Sequence, residues 1–227
     1  MAGYATVVEI KTTSQRLGQG AAELAGKALA GAFAATARIR PARKPLHPKG
    51  ELHTVTIERS GLRDGIGVPW IDEPGTSIGL VRVSRAIGIP NALPDIYGLA
   101  LRVPLFGGAH ADILFATTGL GRLSRFMLLP AQHAGQRAYS TLLPYRTTSG
   151  AVVLAALPVG ADGLTFDLAC AHAGAAWRSF ARMTLTEASS DDSPSFDPVL
   201  NQLPGLTYYE WAAAMREGAY RAARRSR

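Results

Sequence analysis

The chain has 227 residues, of which 47% are hydrophobic and 18% charged, and this composition suits a single domain with a well-buried core. No apolar run reaches the roughly 18 residues of a membrane-spanning helix, and the N-terminal residues lack the basic-then-apolar order of a secretory signal, so we expect a cytoplasmic protein. The single cysteine, Cys170, excludes an internal disulfide framework, and we expect it to be a buried thiol without a chemical role.

The formal net charge of +7 indicates an anionic partner, which could be a nucleic acid, a membrane surface or an acidic cofactor. The positive charge is concentrated in residues 37–50 and 221–227. Neither cluster is interleaved with the aromatic residues on which single-stranded nucleic acid stacks. We therefore expect neither a nucleic acid nor a membrane among the partners.

Residues 14–37 carry alanine, leucine and phenylalanine at helical spacing with polar residues between them, which predicts an amphipathic helix. From residue 52 the pattern changes to short alternating or apolar runs separated by Gly, Pro and Asp. These runs predict about eight strands of an antiparallel barrel or sandwich. In chain order they are LHTVTIER, SIGLVRVSRAIG, YGLALRVPL, ADILFATT, FMLLP, STLLPYRT, AVVLAALP, LTFDLACAH and SFARMTLTE.

A polar, proline-marked connector, ASSDDSPSFDPVLNQLPGL, leads to a final helix predicted from about Tyr208 to Arg225. The predicted fold class is α+β, an antiparallel β-barrel of about eight strands with an N-terminal helix and a C-terminal helix. We expect a single domain over residues 1–227. Its parts are an N-terminal extension and helix (1–37), the barrel (38–188), and the connector with the final helix (189–227).

Several well-known motifs are missing from the sequence: it has no Walker loop, no G-x-G-x-x-G that opens a helix after a strand, and no H-E-x-x-H. The five histidines show no close metal-ligand spacing. We expect His110, His133 and His172 at the surface and His53 in a polar contact between strands. His47 differs, because it follows a basic pair and precedes PKG, the turn into the first strand.

Five segments, in order along the chain, resemble the haem catalases. RKPLHPKG is similar to the family's H-A-K-G turn and places His47 at the distal histidine. GLVRVSRAIG resembles the V-R-F-S strand, with Arg82 and Ser84 at its arginine and serine. LPDIYGLALRV is similar to R-D-P-R-G-F-A-x-K, and SFDPVLNQLPGL to F-D-P-T-x-x-W-P. REGAY resembles the R-x-x-x-Y helix that ligates haem iron, with Arg216 and Tyr220.

The resemblance runs from about residue 38 to the C-terminus and implies a minimal, barrel-only relative that binds haem b. It implies Tyr220 as the iron ligand in its phenolate form, with Arg216 favouring that anion. His47 would move a peroxide proton between the two peroxide oxygens, and Ser84 would orient the imidazole. Arg82 is implied as the partner of one haem propionate. Arg43 or Lys44 is the candidate for a second propionate partner.

One segment departs from the family. Catalases carry an asparagine in a D-L-V-G-N-N strand, whereas ADILFATTG places Thr117 or Ala116 there and offers no amide. The departure favours a peroxidase, with weak catalase activity, that reduces hydrogen peroxide or organic hydroperoxides and oxidises a small organic electron donor. Rearrangement of a fatty-acid hydroperoxide, haem binding without turnover, and a haem-free barrel that binds nucleic acid or phosphate stay open. Assembly into a homo-oligomer also stays open.

Overall fold

The structure, a computed structural model, describes residues 50–86, 93–172, 174–189, 194–214 and 216. The chain divides into two units, Met1–Ala42 and Arg43–Arg227, and every described residue belongs to the second. The predicted helix over residues 14–37 lies outside the described residues. The single-domain organisation over residues 1–227 therefore stays a prediction.

The described residues form ten strands, which are β1 (Gly50–Arg59), β2 (Gly75–Arg85), β3 (Tyr97–Pro104), β4 (His110–Thr117), β5 (Tyr139–Ser140), β6 (Tyr145–Thr147), β7 (Gly150–Pro158), β8 (Thr165–His172), β9 (Arg178–Ser189) and β10 (Thr207–Tyr208). A short helix, α1 (Pro69–Asp72), lies between β1 and β2, and 3₁₀ turns occupy Phe106–Gly108 and Ser124–Phe126. Among the described residues, no helix is long and apolar enough to cross a membrane.

Eight of these strands close into an antiparallel barrel. Strands β1 to β5 pair in sequence, β5 pairs with β7, β7 with β8, β8 with β9, and β9 returns to β1. The short strand β6 pairs with another part of β7, and β10 pairs with β6. The predicted barrel of about eight strands is therefore confirmed.

The barrel interior is filled by alternate residues of its strands. Residues that pair directly across neighbouring strands share a face of the sheet. Val81, Leu101 and Ile113 form one such row, and each is at most 2% exposed. On each strand, the residues directly before and after these core residues face away from the core. Other fully buried side chains complete the core, including Ile57, Leu99, Tyr139, Phe166, Leu168 and Met183.

The loop from β1 to β2 is held by one carboxylate. Asp72 accepts hydrogen bonds from the backbone N–H groups of Ile66, Gly67 and Val68 at 2.8, 2.8 and 2.9 Å. Gly67 has φ = +80°, and a Cβ at this position would lie 1.8 Å from Oγ1 of Thr148. Only glycine fits there, because any side chain would be both strained and in collision.

Two sequence predictions differ from the structure. FMLLP, residues 126–130, is not a strand, and its one ladder contact is the isolated bridge between Thr118 and Leu128. A short apolar run does not specify its own secondary structure, and here its first two residues belong to a closed loop. Tyr208 lies in β10 rather than in the final helix, and helical backbone covers residues 210–214 and 216. The rest of that predicted helix lies outside the described residues.

The connector after β9 is fastened to the barrel by Asp112 of β4, whose side chain is fully buried. Arg102 of β3 donates to both carboxylate oxygens at 2.7 and 2.8 Å. The backbone N–H of Asp197 and the amide of Asn201 each donate to the same carboxylate at 2.8 Å. Burial raises the pKa of the Asp112 carboxyl, but these hydrogen bonds and the Arg102 charge outweigh it and hold that pKa below its ordinary value.

We expect Asp112→Asn to lower the free energy of unfolding by about 3 kcal/mol at neutral pH, because Arg102 loses its anionic partner in a mostly buried site. The folded-state pKa is depressed, so the wild-type contribution is complete above the unfolded value of about 3.9 and is lost as the pH falls through the lower folded value. The difference in the free energy of unfolding between wild type and variant, measured by urea unfolding, should therefore become smaller as the pH is lowered.

Asp167→Asn is the matched control, since Asp167 forms a partly exposed ion pair with Arg182 at 2.9 Å. Exposed pairs contribute little to stability, so this variant should unfold almost as the wild type does. Equal losses in the two variants would contradict the role assigned to Asp112.

Candidate functional site

One row of directly paired residues crosses five strands on the face turned away from the barrel core. Gly50 of β1 opposes Ser84 of β2, which opposes Gly98 of β3, then Ala116 of β4 and Ser140 of β5. All five residues are small. Neighbouring strands lie about 4.8 Å apart, so the row extends over roughly 19 Å. The residues of the row therefore present no long side chain of their own, and the Arg82 guanidinium lies over its first member, Gly50.

Ser84 and Arg82 lie two residues apart on β2 and share this outer face, as the sequence predicts. Ser84 is 6% exposed, and its Oγ donates to the carbonyl oxygen of Gly98 at 3.5 Å. Arg82 is half-buried and opposes Leu52 on β1 and Ala100 on β3. Burial lowers the pKa of the Arg82 guanidinium. The structure thus places a partly desolvated cation beside the small-residue row.

The guanidinium of Arg82 lies against the start of β1. A Cβ on Gly50 would meet its Cζ at 2.7 Å. Gly50 follows His47 by three residues in the sequence. Arg82 and Ser84 therefore both lie next to Gly50, the first residue of β1.

Thr117 is on the other face of the sheet. It pairs directly with Tyr139, is fully buried, and its Oγ1 accepts the backbone N–H of Tyr97 at 3.2 Å. Its side chain therefore does not meet Ser84. Ala116, the alternative at this point of the sequence, is the residue that lies in the row with Ser84.

Arg216 lies at the opposite end of the row. Its Nη2 donates to the carbonyl oxygen of Thr141 at 3.2 Å, and Thr141 directly follows Ser140, the last residue of the row. The Arg216 Cζ lies 5.1 Å from the ring centre of Tyr208. The hydroxyl of Tyr208 hydrogen-bonds the hydroxyl of Tyr145 at 2.9 Å, and both tyrosines are buried. The row thus has Arg82 near one end and Arg216 near the other.

Four other residues assigned from the sequence lie outside the described residues: Arg43, Lys44, His47 and Tyr220. In the described part of the chain, no group of three or more His, Cys, Asp or Glu residues could hold a metal ion.

The remaining histidines and the cysteine lie elsewhere in the barrel. His53 is 7% exposed, and its Nδ1 lies 2.7 Å from the carbonyl oxygen of Thr186, which is the predicted contact between strands. His133 is exposed, whereas His110 and His172 are half-buried. Cys170 is buried as predicted, and burial raises the pKa of its thiol. The thiol is therefore held in its protonated, unreactive form.

The barrel is similar in structure to solved catalases. A fungal catalase matches with a TM-score of 0.58 and 12% sequence identity, over 85% of this chain and 61% of that chain. Catalase A from Saccharomyces cerevisiae matches with a TM-score of 0.58 and 11% identity, over 85% of this chain and 63% of that chain. The chain thus spans less than two thirds of the length of either protein. At this identity the likeness establishes a catalase-like barrel fold.

No family model matches the sequence, and a search of curated proteins finds no match either.

The assignment of faces predicts opposite outcomes for asparagine at two adjacent positions. Thr117→Asn should lower the free energy of unfolding by about 1–3 kcal/mol, because it forces a larger polar group into a filled core. Ala116→Asn should cost less than about 1 kcal/mol, because that side chain is half-buried on the outer face. Thermal unfolding of both variants measures the difference, and the reverse ranking would show that the faces are assigned wrongly.

Proposed function

We propose that the protein is a haem-dependent peroxidase that reduces hydrogen peroxide or organic hydroperoxides, with Tyr220 as the tyrosinate ligand of the iron. The observation that carries the proposal is the small-residue row on a catalase-like barrel, with Arg82 and Ser84 near one end and Arg216 near the other.

The row, together with the neighbouring residues Ala100 and Leu114, which pair with each other beside Arg82, fits a flat, largely apolar group that bears carboxylates. Gly98, Ala100 and Ala116 let a planar ring approach the sheet closely, and half-buried Leu114 offers it apolar contact. Arg82 supplies a half-buried cation for a propionate, since a buried carboxylate needs a charged hydrogen-bond donor. When bound, haem would supply the iron that cleaves the O–O bond of a peroxide.

On the side of the proposed iron ligand, Arg216 would favour the phenolate form of Tyr220. A free tyrosine has a pKa near 10, so it binds iron well only where the phenolate is favoured. Arg216 is fixed by Thr141 and Tyr208 at the end of the row, and Tyr220 follows it by four residues, which is one helical turn. The guanidinium would thus lie beside the phenolate and lower its pKa.

On the opposite side, His47 would accept a proton from one peroxide oxygen and return it to the departing oxygen, so that water leaves, and the organic donor would supply the two electrons that the reduction consumes. Ser84 orients the imidazole and fixes its tautomer. The pairing of Gly50 with Ser84 is compatible with this assignment, because three residues of chain separate His47 from Gly50 and can span at most about 11 Å.

The row also bears on the balance between peroxidase and catalase activity. Ala116 lies on Ser84's face and offers a methyl group where an amide would help to position a second hydrogen peroxide. Oxidation of a small organic donor needs no such group. We therefore propose peroxidase activity as the main reaction, with weak catalase activity.

Haem binding should depend on Tyr220 and on Arg82. Tyr220→Phe removes one oxygen, so we expect a shifted Soret band and marked weakening of haem binding. Arg82→Ala should weaken haem binding by about tenfold while the barrel stays folded, because one propionate loses a charged partner. Titration of the purified protein with haemin, followed by absorption spectroscopy, measures both effects.

Arg182→Ala is the control for Arg82→Ala, since Arg182 is an exposed residue of β9, a strand that the small-residue row does not cross. Its haemin titration should match that of the wild type. A wild-type protein that binds no haemin, or a Tyr220→Phe variant with an unchanged spectrum, would remove the ligand assignment.

His47→Ala should retain haem, because His47 is not the ligand, and should slow the reaction with hydrogen peroxide by roughly 10²- to 10⁴-fold. Ser84→Ala should show a smaller defect of the same kind, because it only loosens the imidazole. Stopped-flow absorption spectroscopy of the haem-loaded variants measures the rates. Wild-type rates in His47→Ala would exclude it from the acid–base role.

A further inference from the structure

The segment between β4 and β5 contains a short closed loop, residues 119–127, here called the apolar loop. The isolated bridge between Thr118 and Leu128 closes its base. Inside it, the carbonyl oxygen of Ser124 accepts the backbone N–H groups of Gly119 at 3.1 Å and Met127 at 3.0 Å. The two sides of the loop are thus tied to one residue, and its shape is fixed by its own backbone.

The apolar loop buries its charged side chain and exposes its apolar ones. Its arginine, Arg125, is 2% exposed, whereas Leu120, Leu123 and Met127 are 53%, 81% and 57% exposed. A loop that only faces water would expose the arginine and bury the leucines. This distribution indicates that the apolar side chains form an interaction surface that is covered by a binding partner.

Arg125 holds the leucines outward. Its Nε donates to the carbonyl oxygen of Gly121 at 3.1 Å, and its Nη2 to that of Ala175 at 3.0 Å. Its Cζ lies 4.3 Å from the ring centre of Trp177, whose indole N–H donates to the carbonyl oxygen of Leu120 at 3.0 Å. No Asp or Glu in the described ranges forms an ion pair with Arg125. Burying an arginine without an anion is costly, and here two carbonyl oxygens and an indole ring offset part of that cost.

The surroundings of the apolar loop are basic. Residues 113–161 contain four arginines and no Asp or Glu, and residues 168–186, which include Ala175 and Trp177, also contain no Asp or Glu. Arg122 is exposed between Leu120 and Leu123. The loop therefore presents three apolar side chains with a cation among them and no anion from its own or the contacting segment.

We propose that the apolar loop binds the surface of an anionic lipid bilayer, with Leu120, Leu123 and Met127 inserted among the acyl chains and Arg122 at the level of the phosphates. An apolar tip with flanking arginine is the chemistry that such a surface selects, because burial of apolar area and attraction to anionic headgroups add together. Trp177 beneath the loop suits the same interface. The inference needs no haem, and it departs from the expectation, drawn from the sequence, that no membrane is a partner.

Vesicle flotation tests the proposal. The full chain should float with vesicles of phosphatidylcholine that contain phosphatidylglycerol, and much less with phosphatidylcholine alone. Leu123→Ser should lower the partition coefficient by about tenfold, because one exposed leucine no longer enters the bilayer. Arg122→Gln should lower it by about fivefold, on anionic vesicles alone.

Leu200→Ser is the matched control, because Leu200 is a comparably exposed leucine, at 66%, outside the loop. It should float as the wild type does, and circular dichroism should show the same fold in all variants. Absence of flotation with anionic vesicles, or equal losses in Leu123→Ser and Leu200→Ser, would overturn the proposal. So would self-association that Leu123→Ser abolishes in the absence of vesicle binding, since the loop would then be a contact between protein molecules.

Discussion

The antiparallel register of β1 to β5 is the constraint on which the rest of the structure depends. It places Val81, Leu101 and Ile113 in the core and turns the alternate residues outward. A shift of one residue would exchange the two faces and bury Arg82 in an apolar core, at a cost far above that of any surface change. Hydrophobic burial inside the barrel therefore also fixes the outer row that forms the candidate site.

A second long-range contact determines where the C-terminal part of that site begins. The carboxylate of Asp112 holds the connector at Asp197 and Asn201, and the chain then enters β10 beside β6 before its helical backbone starts. Arg216 follows on this path and donates to the carbonyl oxygen of Thr141. Stability and site geometry are thus linked through one buried anion, which the pattern of the sequence did not single out.

The sequence predicts most of the strands because their alternation and their turn residues are local signals. It also predicts that Arg82 and Ser84 share a face, since two residues on one strand must do so. It could not choose between Ala116 and Thr117, because that choice depends on the pairing of β4 with β3 and β5. Gly98 and Ala100 stand at the glycine and alanine of the segment compared with R-D-P-R-G-F-A-x-K, yet the pairing of Gly98 with Ser84 and of Ala100 with Arg82 appears only once the register is known.

FMLLP, whose first two residues belong to the apolar loop, was predicted as a strand for a related reason. Its apolar residues are normal for a buried run, and only the structure shows that Met127 is exposed while Arg125 is buried. The loop and the candidate site also touch: Oγ of Ser140, at the end of the small-residue row, donates to the carbonyl oxygen of Arg125 at 2.5 Å. The surface that we propose meets a bilayer is therefore one hydrogen bond away from the surface that we propose binds haem. Taken together, the two proposals would favour organic hydroperoxides, which partition into bilayers, over hydrogen peroxide, which gains nothing from a membrane.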